Sequence, residues 1–115
     1  DGRVYPWGDQ APTCARANYF GCPGDLLSVE ALAGTPSPYG TINMAGNVWE
    51  WVNDFYGANY YTASPTNDPP GPPPGSDRVR RGGSYLNAEA LLRVSNRWWE
   101  SPAAAPNNIG VRCAR

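Results

Sequence analysis

Reactive side chains in this sequence are few in kind. All nine cations are arginine, and the 115 residues contain no lysine and no histidine. An imidazole base, a lysine Schiff base and a histidine-held metal are therefore excluded, and with them serine-triad and zinc-hydrolase chemistry. Three cysteines remain, Cys14, Cys22 and Cys113, with no Cys-x-x-Cys pair among them, which argues against a zinc or redox motif. Cys14 and Cys22 enclose seven residues including Gly21, a spacing that can close a short disulfide-bonded loop. Such a bridge contributes on the order of 2 to 3 kcal/mol in an oxidising compartment. Two reduced, buried thiols are the alternative.

Carboxylates are the other reactive class. Asp9, Asp25, Glu50 and Asp54 are candidates for paired acid chemistry, although sequence gives no distance between them. Glu50 stands between two tryptophans, and a carboxylate that fixes an arginine, an amide or calcium is the favoured reading over a catalytic acid. No catalytic residue is assigned.

Recognition chemistry is concentrated near the end of the chain. Tyr85, Trp98 and Trp99 supply large rigid aromatic area, while Asn87, Glu89, Asn96, Arg97, Glu100, Ser101, Asn107 and Asn108 supply adaptable polar groups. That mixture suits a binding surface for a protein or other macromolecular ligand. Filling of a small core by the two adjacent tryptophans is the alternative, but their neighbours read as a solvated loop, and at least one indole is expected to be exposed.

These side chains must be positioned by a backbone rich in interruptions. Thirteen glycines and thirteen prolines make 26 of 115 residues, about twice the roughly 12% of average usage, so turns and irregular structure dominate. The length fits one domain, residues 1–115. Strands are expected at Val48–Val52, at Arg78–Tyr85, at Leu91–Ser95 and at Ile109–Ala114. Residues 57–77 hold three glycines and six prolines and read as an extended surface loop. With a formal charge of −1 and no basic block, nucleic acid is not an expected partner. No apolar run approaches the ~18 residues of a membrane span, and the start at Asp1 without a leader reads as processed or trimmed.

A family pattern emerges when the short motifs are taken in order. Tyr5-Pro6-Trp7-Gly8-Asp9, Ala17-Asn18-Tyr19, Ser37-Pro38-Tyr39-Gly40, Asn43 to Val52 with its Gly-Asn-Val-Trp-Glu-Trp string, Arg78-Val79-x-Arg81-Gly82-Gly83-Ser84, Leu92-Arg93 and Ile109-Gly110-Val111-Arg112 follow one another along nearly the whole chain. Together they resemble the formylglycine-generating enzyme, or sulfatase-modifying factor, domain family. The resemblance implies an α+β, C-type-lectin-like fold, irregular, with small twisted antiparallel sheets and long loops. It also implies that the family's opening strand and helices are missing here. Cys113 would then lack its usual disulfide mate, a buried reduced thiol being the alternative.

The same resemblance bears on activity. The family's oxidases hold copper(I) through two cysteines in the segment after Arg-Gly-Gly-Ser, because soft thiolates select that ion. Residues 85–110 contain no cysteine. A second subgroup uses iron held by histidines, which this chain lacks. The layout also resembles the variable proteins of diversity-generating retroelements, phage and bacterial or archaeal receptors that present a diversified segment between Arg-Gly-Gly-Ser and the final Ile-Gly-x-Arg strand; a generic noncatalytic domain of the family is the alternative. Residues 85–108 would be that segment here. Relatives also imply calcium at positions matching Asn18, Asn47 and Glu50; the acid that completes their site has no matching position here, Asp25 being the candidate in its place, and turn-fixing by the Asn side chains is the alternative. Should the Cys14–Cys22 disulfide form, an extracellular or cell-surface location is expected.

Overall fold

The computed structural model describes residues 2–104 and 106–113. Its centre is the aromatic strand β1, Trp49–Phe55, where alternating large and small side chains put Trp49 inward at 2% exposure. A single helical turn, α1 at Tyr60–Ala63, precedes the proline-rich stretch and leads to β2, Arg78–Arg81. A 3-10 turn at Glu89–Leu92, the edge strand β3 at Trp98–Glu100 and a two-residue strand β4 at Ile109–Gly110 complete the described elements.

The sheet order is β3-β2-β1-β4. Antiparallel pairing sets Glu50 opposite Arg81 and Trp51 opposite Arg80, then slips at an irregularity before Phe55 meets Arg78. β2 and β3 are also antiparallel, with Val79 opposite Trp99 and Arg80 opposite Trp98. The β1–β4 pair is parallel, so the sheet is mixed where the family pattern implied antiparallel sheets only.

Against this sheet sits a small core of Tyr5, Ala17, Ala45 and Leu92, flanked by Trp7 and Tyr19, with Tyr5 and Trp7 stacked at 5.5 Å. One backbone crossing fixes its geometry. Gly46 takes φ +80° and passes so close to Asn18 that a Cβ would lie 2.5 Å from the Asn18 carbonyl oxygen, a position only glycine fills. Beside it, Asn47 at φ 66° uses its side chain as a surrogate strand: Oδ1 accepts from Leu27 N–H at 2.9 Å and Nδ2 donates to Leu27 C=O at 3.0 Å. The irregular segment around Leu27 is thereby tied to the head of β1 without a ladder of its own.

Some elements differ from the sequence reading. Leu91–Ser95 is no strand: Leu92, 1% exposed, points into the core from the 3-10 turn, and Val94 N–H bonds the Val4 carbonyl. The strand from Arg78 stops at Arg81 because Gly82 and Gly83 both turn to positive φ. The closing strand is only Ile109–Gly110, and the expected end at Ala114 lies outside the described residues. The loop 57–77 is not extended throughout: besides α1 it bends at residues 64 and 66–68 and takes positive φ at Asp68 and Gly71, and the Tyr60 hydroxyl accepts from Gly71 N–H at 2.9 Å to hold it against the helix. Among the described residues no helix is long and apolar enough to cross a membrane.

Candidate functional site

Trp98 and Trp99 are neighbours on β3, and side chains of consecutive strand residues leave opposite faces. Their rings nonetheless stack at 5.0 Å with 19° between planes. β3 is the edge strand of the sheet, and both indoles stay open to solvent, at 42% and 39% exposure. The expectation of an exposed indole therefore holds for both.

The stack continues past the segment that sequence singled out. Tyr56, just after β1, lies 4.3 Å from Trp99 and nearly parallel to it. Arg97 then packs its guanidinium 5.0 Å from the Tyr56 ring centre and 4.3 Å from that of Tyr61. Its Nη1 and Nη2 donate to the carbonyls of Gly57 and Ala58 at 3.0 and 3.2 Å. Arg81 Nη2 donates to the Tyr61 hydroxyl at 2.6 Å, while its Nη1 reaches the carbonyls of Val94 and Asn96. The result is a ladder Trp98–Trp99–Tyr56–Arg97–Tyr61, each rung within the range of offset stacking or cation–π attraction.

Other candidates in residues 85–108 divide by use. Three asparagines serve the fold. Asn87 Oδ1 accepts from the Ser84 N–H and hydroxyl at 3.0 and 2.6 Å, and Asn96 Nδ2 donates to the Leu91 carbonyl at 3.2 Å. Asn108 Nδ2 donates to the Ser84 hydroxyl at 3.2 Å, and its carbonyl accepts from Trp49 N–H, so the two ends of the segment are tied together beside β1. Tyr85 is half-buried, with its N–H bonded to the Asn47 carbonyl. Glu89, Ser101 and Asn107 are exposed, and Glu100 pairs with Arg80 at 3.5 Å. Burial lowers the Arg80 pKa, with Glu100 opposing the shift.

The residues proposed for calcium are committed elsewhere. Both polar atoms of the Asn47 amide engage Leu27, and Asn18 Nδ2 donates to the Asp25 carbonyl at 2.8 Å and to Asn47 Oδ1 at 3.2 Å. Glu50 is gripped by Arg112, with Nε at 2.8 and 3.0 Å and Nη2 at 2.7 Å from its oxygens. The Asp25 contact comes from its backbone. Calcium needs an open set of six or more oxygens, and this arrangement does not fit one. Of the readings of Glu50, the carboxylate that fixes an arginine is the one present. Among the described residues no three His, Cys, Asp or Glu side chains gather in a metal-holding group.

Cys14 and Cys22 form a disulfide with Cα atoms 5.5 Å apart, and Cys113 is a free, exposed thiol rather than a buried one. The bridge closes the loop beside Ala17 and is not the thiolate pair of an oxidase.

The chain matches the Sulfatase-modifying factor enzyme 1-like domain over residues 1–115. It belongs to that family. This sulfatase-modifying-factor domain is 37% identical over 130 residues to a formylglycine-generating enzyme of Streptomyces coelicolor, covering 98% of the chain and 40% of that enzyme. It is 38% identical over 113 residues to a serine/threonine-protein kinase pkn1 of Chlamydia pneumoniae, covering 96% of the chain and 17% of that protein. The chain thus spans well under half the length of these relatives. Among solved structures, Treponema denticola variable protein 1 superposes with a TM-score of 0.74 at 28% identity, over 96% of the chain and 40% of that protein. The sulfatase-modifying-factor domain therefore has the α+β, C-type-lectin-like fold of a variable protein, a small curled mixed sheet with few helices.

Sequence reasoning missed Tyr56 and Tyr61 as members of the aromatic surface. The available signal was the tyrosine cluster Tyr56, Tyr60 and Tyr61 just ahead of the prolines. Nothing in a linear reading joins it to Trp99, because the junction is made by sheet order.

Proposed function

We propose that this domain is a noncatalytic binding module that presents residues 85–108 to a protein or other macromolecular ligand, in the manner of diversity-generating retroelement variable proteins. The observation that carries this reading is the exposed Trp98–Trp99 stack on an open sheet edge. Rigid aromatic area held in place before binding loses little conformational entropy on association. Similarity in structure to a variable protein supports the same reading. The Cys14–Cys22 bridge supports a place at the cell surface or outside it.

Panning a random peptide display library on the wild-type domain tests this. Selected peptides should lose at least about tenfold in affinity for a Trp98→Ala/Trp99→Ala variant whose thermal unfolding is nearly unchanged. Selection of nothing, or only of peptides indifferent to both tryptophans, overturns the reading.

The second reading is a copper oxidase or another enzyme of the sulfatase-modifying type, favoured by the 37% identity to a formylglycine-generating enzyme. It requires stoichiometric copper(I) uptake and oxygen consumption with a cysteine peptide. The absence of cysteine from residues 85–110 weighs against that outcome.

A further inference from the structure

Charge is distributed unevenly around the aromatic ladder. Residues 77–100, from just before β2 to the end of β3, carry five arginines and three acids, Asp77, Glu89 and Glu100, in a chain whose formal net charge is −1. Arg97 and Arg81 touch ladder rings, Arg80 stands opposite Trp98 in the β2–β3 pairing and Arg78 lies against Phe55 next to Tyr56. Among the described residues only Arg80 of these four meets a carboxylate, Glu100 at 3.5 Å. The other three are held by neutral groups. Arg78 donates to the Asn53 carbonyl and lies 3.8 Å from the Phe55 ring centre, Arg81 bonds two carbonyls and the Tyr61 hydroxyl, and Arg97 bonds two carbonyls between two tyrosine rings.

Carbonyls and rings orient a guanidinium without neutralising it. A guanidinium has five N–H donors. Arg97 directs two of them to Gly57 and Ala58, and Arg78 directs one to Asn53, so oriented donors and full positive charge remain, on Arg97 beside the ladder tyrosines and on Arg78 beside Phe55. An arriving carboxylate would gain charge-assisted bonds without first displacing an internal one. Trp98, at the end of the ladder, offers its outer surface to one more ring.

We propose that the arginine-bordered ladder recognises an acidic polypeptide segment carrying aromatic side chains, with Tyr56, Tyr61, Arg78 and Arg97 joining Trp98 and Trp99 in the site. This rests on the binding reading above and names the chemistry of the partner. A polynucleotide would need a continuous basic track along several phosphates. Here the guanidiniums are docked singly against rings and carbonyls, a pattern that suits spaced carboxylates.

Fluorescence anisotropy with labelled peptides of about twelve residues tests the proposal. A Glu–Tyr alternating peptide should bind about tenfold tighter than a Glu–Gly or a Lys–Tyr peptide, and its affinity should fall as salt rises. Trp98→Ala should weaken it about tenfold and Arg78→Gln about threefold, each in a protein that melts normally. No binding of the Glu–Tyr peptide, equal binding of the Lys–Tyr peptide, or tighter binding of an oligothymidylate of the same length overturns it. The two proposals fail separately. If library peptides depend on Trp98 and Trp99 while the Glu–Tyr peptide does not bind, the acidic-partner chemistry falls and the binding module stands. Loss of both results overturns both.

Discussion

Arg112 chelates Glu50 across the junction of β4 and β1, three nitrogen–oxygen contacts of 2.7 to 3.0 Å holding the last described residues to the centre of the sheet. A second partner, the Asn43 carbonyl, accepts from Arg112 Nη2 at 2.8 Å. With β4 only two residues long, this clasp carries much of its attachment. Both side chains are partly exposed, at 36% and 24%, so solvent screens the pair. Glu50→Gln should lower stability by about 1 kcal/mol in urea unfolding.

The same pair has a predictable pH response. Hydrogen bonding to Glu50 holds the Arg112 guanidinium above its ordinary value, with partial burial opposing. A base whose folded value is raised gives its full stabilisation below the unfolded value and loses it only above. The difference between wild type and Glu50→Gln should therefore stay flat from roughly pH 6 to 10. A difference that shrinks across that range would show that another group governs the clasp.

Gly46→Ala should be among the most damaging small substitutions. A Cβ at φ +80° meets the Asn18 backbone at 2.5 Å, and backbone cannot rotate away as a side chain can. Strain plus displacement should cost about 2 to 3 kcal/mol by denaturant midpoint. Gly2→Ala, with nothing near its Cβ position, serves as the control and should be close to neutral.

Asn47→Ala removes both bonds to the Leu27 backbone and the contact with Asn18. A loss of about 2 to 3 kcal/mol is expected, with faster proteolysis between residues 22 and 35. Since these amides are engaged with protein, addition of calcium or of a chelator should leave the melting temperature of the wild type unchanged. A calcium-dependent rise would reverse that assignment.

The tryptophans should separate sharply. Trp49→Ala opens the buried side of β1 and should cost about 3 to 5 kcal/mol, whereas Trp98→Ala, on the open edge, should cost about 1 kcal/mol or less.

Legibility of the fold followed the strength of local patterns. β1 could be read because Val48 to Val52 alternates large and small side chains, whereas the strand expected over Arg78–Tyr85 includes Gly82 and Gly83, whose positive φ ends it at Arg81. Leu91–Ser95 misled for a physical reason: a short apolar run is compatible with a strand or with one helical turn, and the burial of Leu92 decided for the turn. β3 is three residues long, too short to show periodicity, and it exists because Arg78–Arg81 offers it a partner. The candidate surface was legible in its tryptophans and in Arg97. Tyr56 and Tyr61 stayed hidden, since only the pairing of β1 with β2, and of β2 with β3, carries Trp99 across to Tyr56.

The Asn108 to Ser84 hydrogen bond ties together the two ends of an excursion that Leu92 in the core and the pairing of β3 with β2 fix again along its way. The entropy of closing a loop grows only logarithmically with its length. Insertions in the excursion's exposed stretch at residues 101–103 therefore cost little closure entropy and leave both the Ser84–Asn108 tie and β3 in place, so length can vary there without rebuilding the frame.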